Sequence, residues 1–110
     1  MSKMTFSRWF ETQFGCPVPS GLTEYLTEHP SGAENGYGPR LWTAEAIQEE
    51  TDDRQLASNG VCIIGAIDSL SHILLRARDG RVFIVDSRDP RSVDACFTDL
   101  GTMISLLMLE

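Results

Sequence analysis

Phe6, Trp9, Phe10 and Phe14 recur at helical spacing, which predicts a first short helix capped by Thr5 and stopped at Gly15. Cys16-Pro17-Val18-Pro19 then breaks the chain, because each proline removes a backbone donor and biases the residue before it toward extended geometry. Ser20 is placed to cap a second helix that carries Leu22, Tyr25 and Leu26 and ends before Pro30. Pro30 to Arg40 holds three glycines and two prolines and reads as a loop. Trp42-Thr43 opens a third helix, with Thr43 as N-cap and Trp42 packing on Ile47 as a hydrophobic staple. That helix is short and ends in the polar segment Thr51 to Gly60.

The second half changes period. Val61-Cys62-Ile63-Ile64 is a continuous apolar run of strand length, the pattern of a strand covered on both faces. Ser71 to Arg78 alternates, with Ile73, Leu75 and Ala77 on one side and His72, Leu74 and Arg76 on the other. Asp79-Gly80 joins it to the β-rich run Arg81 to Val85 and predicts a two-residue type I′ hairpin, with positive φ at both positions. After Pro90 the spacing becomes helical again. Val93, Phe97, Leu100, Ile104 and Leu107 form an amphipathic stripe, with Cys96, Met103 and Met108 beside it. Gly101 weakens that helix by about 1 kcal/mol relative to alanine. The order predicts a single α+β domain over residues 1–110: N-terminal short helices, a central antiparallel β-meander, and a C-terminal helix packed on the sheet.

Composition narrows the function. At 42% hydrophobic and 23% charged, the chain is too apolar for disorder, and 110 residues bury enough surface to need no disulfide or metal. Sixteen acidic against nine basic residues give a net charge of −7, and Lys3 is the single lysine. Phosphate-backbone binding rests on Lys and Arg, so nucleic acid is a poor partner, and anionic lipid is disfavoured for the same reason. A basic protein partner would be attracted. The three cysteines, Cys16, Cys62 and Cys96, are odd in number and far apart, which points to reduced thiols and a cytoplasmic setting. The start lacks an apolar signal-peptide core, and no apolar run approaches the roughly 18 residues of a membrane span.

Three stretches, in order, carry a family likeness. Phe14-Gly15-Cys16-Pro17-Val18-Pro19-Ser20-Gly21-Leu22-Thr23-Glu24-Tyr25-Leu26 is similar to an opening of "Leu-Pro, then a helix ending in Tyr/Phe-Leu". Leu41-Trp42-Thr43-Ala44-Glu45-Ala46-Ile47 is similar to an aromatic–Ser/Thr–Glu–Ile helix start, and Ile63-Ile64-Gly65 through Asp79-Gly80 to Asp86 to a central Ile-Gly, Asp-Gly hairpin. A closing helix over Phe97 to Leu107 completes the pattern. In these features the chain resembles the SUKH superfamily, the fold of yeast Knr-type cell-wall regulators and many bacterial immunity proteins. It departs at Ala66-Ile67-Asp68-Ser69-Leu70, where the family often has a second glycine. The resemblance implies an immunity protein that neutralises a cognate bacterial toxin domain by binding, with no shared catalytic constellation. The alternative it implies is a regulatory adaptor of the Knr type acting within a larger complex.

The residues offer one sharp surface feature, the acidic cluster Glu45, Glu49, Glu50, Asp52 and Asp53. Glu45, Glu49 and Asp52 share one helix face, where like charges at i, i+4 cost about 0.2–0.5 kcal/mol per pair. A cationic partner would relieve that cost, and a solvated face would simply tolerate it. If the toxin is a nuclease, its basic site would complement this surface. Tyr37, between Gly36 and Gly38, and Trp42 are candidate interface anchors. No D-x-D-x-D-G loop accompanies the carboxylates, so no metal or other cofactor is expected. Cys62 and Cys96 both read as small core residues, with Cys16 nearer the surface; His29 fits a helix C-terminus. A cysteine nucleophile with His72 and Asp68 as base and orienter therefore has little behind it, and an enzyme is not expected.

Overall fold

A computed structural model describes residues 5–34 and 39–107. Three helices come first: α1 (Phe6–Phe14), α2 (Ser20–Glu28) and, after two short strands, α3 (Ala44–Asp53). The strands are β1 (Ala33–Glu34), β2 (Arg40–Leu41), β3 (Val61–Ala66), β4 (Ser71–Arg76), β5 (Val82–Asp86) and β6 (Asp89–Phe97). They form one antiparallel sheet in the order β1-β2-β3-β4-β5-β6, and α4 (Leu100–Leu107) closes the fold. This is the α+β meander with a terminal helix that the hydrophobic pattern predicts.

Local chemistry starts and stops the helices. Thr5 Oγ1 accepts from the Arg8 amide at 3.3 Å, and Gly15, at φ 71°, ends α1 by donating its amide to the Glu11 carbonyl. Thr43 Oγ1 accepts from the Ala46 amide at 3.2 Å and starts α3. Ser20 does not cap α2: the cap position falls to Pro19, which has no side-chain acceptor, and Ser20 is the first helical residue.

Strand alternation sorts the core into two faces. On one, Cys62, Ile64, Ile73, Leu75, Val82 and Ile84 meet Trp9, Phe10, Leu22, Tyr25, Leu100 and Met103 of the helices. On the other, Ile63, Leu74 and Val85 pack with Leu56 of a 3-10 turn, Leu56–Asn59. Val61–Ile64 is thus covered on both sides, as its unbroken apolar run predicts. Gly65 sits at a register shift in β3, and a Cβ there would run into the Arg40 carbonyl oxygen of β2. The glycine is what lets β2 close onto β3.

Four expectations need correcting. Residues 89–97 form a strand and only Leu100–Leu107 a helix, because Val82, Phe83 and Ile84 offer β5 an edge that Phe97, Cys96 and Ala95 satisfy in register. Cys96 is consequently exposed, not core. The Asp79-Gly80 turn is wider than type I′: only Gly80 has positive φ, at 76°. Arg76 and Arg81 close it by a backbone bond, while the Asp79 carboxylate accepts from the Arg81 amide. The stretch read as a loop before Leu41 holds β1 and β2. In the β3–β4 turn Asp68 takes φ 94°, a glycine-favouring conformation, steadied by its carboxylate accepting from the Leu70 amide at 2.7 Å.

Candidate functional site: the acidic face of helix α3

Helix α3 is anchored on its inner side by Ile47 and Thr51, both fully buried. That pins the opposite side outward. Glu45, Glu49 and Asp52, one helical row, line a surface depression of about 410 Å³ together with Thr5 and Phe6 of the α1 start, Ala44 and Gln48. The depression adjoins a smaller, more apolar one lined by Val18 and Leu26, with Thr5, Phe6 and Ala44 shared between them. Trp9 fixes the geometry by donating its indole N–H to Asp52 Oδ1 at 3.3 Å, tying α1 to α3.

The five predicted carboxylates do not act as one cluster. Glu50 turns the other way, half-buried, and accepts from Arg54 Nε at 3.1 Å. Asp53 is exposed near the C-terminal end of α3. Glu45 and Glu49 carry no ion pair among the described residues. Trp42 is half-buried and packs against both core clusters; its carbonyl accepts from the Tyr25 hydroxyl at 2.7 Å and its amide donates to Ile64. Tyr37 lies outside the described residues. Thr5, Phe6 and Gln48 are lining residues that sequence reasoning missed. No local signal marks them, since only the packing of α1 across α3 brings them there.

The charge is unevenly distributed. Residues 5–60 contain nine carboxylates and three arginines, residues 61–107 six and five. In the second segment the charges are interleaved: Asp79 pairs with Arg76 at 2.6 Å and Arg81 at 3.5 Å, Asp86 with Arg88 at 3.4 Å. The Arg76 hydrogen bond holds the Asp79 carboxyl down at about 2. The helical half therefore carries nearly all the excess negative charge, and α3 is its densest part.

The nucleophile candidates are not assembled. Cys62 is fully buried, and burial pushes its thiol up to about 12. Cys16 Sγ donates to the Ala77 carbonyl at 3.5 Å. His72 is half-buried on the sheet face away from α1, where desolvation, then the Arg54 charge, lowers its pKa. Among the described residues no group of three or more His, Cys, Asp or Glu is arranged to hold a metal ion, and no helix is long and apolar enough to cross a membrane. No protein-family model matches the chain, and no curated protein matches it.

Proposed function

We propose that this protein is a cytoplasmic immunity protein that neutralises a cationic toxin domain by binding it through the Glu45–Glu49–Asp52 face of α3. The observation that carries the reading is that three carboxylates share one depression and none of the three has a counter-charge among the described residues. Such a face costs the free protein stability and returns it on binding a cation. The resemblance to the SUKH superfamily supports the same reading. The neighbouring Phe6–Val18–Leu26 depression would seat an apolar side chain beside the cationic ones. Blocking needs no turnover, so the protein acts by occupancy.

The test is capture from a lysate of the source cell at low and at moderate salt, with the wild type and a Glu45→Lys/Glu49→Lys/Asp52→Lys variant side by side. The reading expects one basic toxin domain on the wild type, lost as salt rises and absent from the variant. Equal capture by both proteins, or recovery of a large assembly in place of a single toxin domain, overturns it.

A further inference from the structure

Among the described residues, the sheet's second face is only half covered. Strand register puts Val61 of β3, Leu74 of β4, Phe83 of β5 and Val93 of β6 on the side away from α1, α2 and α4. Leu56 and Trp42 shield the β3 side. Over β4 to β6 an open trough of about 600 Å³ remains, with Val93 50% exposed at its far wall. Two strand spacings, about 10 Å, separate β4 from β6. An α-helix with its side chains is about 10–12 Å across, so the trough has the width of one helix.

Its charge is opposite in sign to the net charge of the chain. Among the described residues, Arg76 and Arg91 line the trough and no carboxylate does, in a chain of net charge −7. Arg76 lies 5.1 Å over the Phe83 ring and is held there by Asp79. Arg91 is 97% exposed and only 4.0 Å paired with Asp89, so it is open to a second carboxylate.

We infer that this trough is a docking site for an amphipathic helix with acidic flanks, contributed by a second protein. Its aliphatic row would cover Phe83, Leu74 and Val93, and its carboxylates would meet Arg76 and Arg91. Helix α3 of a second copy does not fit: its outward residues are Glu45, Gln48, Glu49 and Asp52, without an apolar row. The described part of α4, which exposes Leu106, holds no carboxylate. The inference is independent of the α3 reading and would make the protein two-faced, with a cationic partner on one side and an acidic helix on the other.

The test uses a synthetic helical peptide with leucine at i, i+3, i+4 and i+7 and glutamate elsewhere, against the same peptide with lysine for glutamate. Binding is followed by methyl NMR at Val61 and Val93, which separates the trough from the α3 face. The glutamate peptide should shift these methyl groups with at least about tenfold higher affinity than the lysine peptide. Arg91→Glu and Val93→Glu, both at exposed positions, should each weaken it about tenfold, while Glu49→Lys should not. Equal affinity for the two peptides, indifference to both trough variants, or no shift up to about 1 mM overturns the inference. So does concentration-dependent self-association that Val93→Glu abolishes, which would assign the trough to a second copy.

Discussion

The Thr51 hydroxyl, fully buried, accepts the Ile63 amide at 3.1 Å and ties helix α3 to strand β3. Ile63 lies next to the register shift that ends at Gly65, so its amide donates to a side chain there. The acidic face of α3 is aimed outward because this contact and Ile47 hold the inner side down.

Thr51→Val keeps the shape and removes the acceptor. A buried amide left without a partner costs about 1–3 kcal/mol. For a domain of this size that is roughly 4–8 °C in Tm per kcal/mol. Thermal melts of Thr51→Val should therefore fall well below wild type, and Thr51→Ser, which restores the hydroxyl, should recover part of the loss. A wild-type Tm for Thr51→Val would show that the tie contributes nothing.

Glu49→Lys should move stability and binding in opposite directions. It replaces a Glu45–Glu49 repulsion with an i, i+4 attraction of favourable orientation, a gain of about 0.4–1 kcal/mol when both contributions are counted. The same change removes a charge from the face proposed to meet a cationic toxin. Denaturant unfolding should show a modest rise in stability, while stopped-flow association with the captured partner should slow. A variant that is both less stable and equally fast in association would contradict the assignment of this row.

The Asp79 turn should respond to acid in a defined window. Hydrogen bonding to Arg76 lowers the carboxyl from 3.8 to about 2 in the folded protein. A depressed carboxylate stabilises the fold fully above its unfolded pKa, and that contribution is lost as pH falls through the folded value. Melts of wild type and Asp79→Asn should differ by a constant amount above pH 4 and converge as pH approaches 2. A gap unchanged between pH 6 and pH 2 would mean that the carboxylate charge is irrelevant.

Much of this was legible in the chain, and the misses share a cause. Thr5, Gly15 and Thr43 act through bonds within four residues, so their roles read directly from the sequence. The apolar run Val61–Ile64 encodes its own double coverage. Residues 89–97 carry a helical spacing that β5 overrides, because pairing with an open edge depends on a partner strand and not on local period. The acidic row on α3 was visible as charge, but its depression was not. Thr5 and Phe6 reach it through the packing of α1 across α3, where the Trp9–Asp52 bond joins residues 43 apart. Glu50 reads as a member of the acidic cluster and is drawn off by Arg54.

The central claim is that α3 presents a docking face for a cationic toxin domain. The most direct measurement is the association rate of the captured toxin domain with the wild type and with Glu45→Lys/Glu49→Lys/Asp52→Lys, each across a range of salt. The account predicts fast association for wild type that falls steeply with salt, and association slower by at least about tenfold, with little salt dependence, for the variant. Matching rates and matching salt slopes for the two proteins would contradict it.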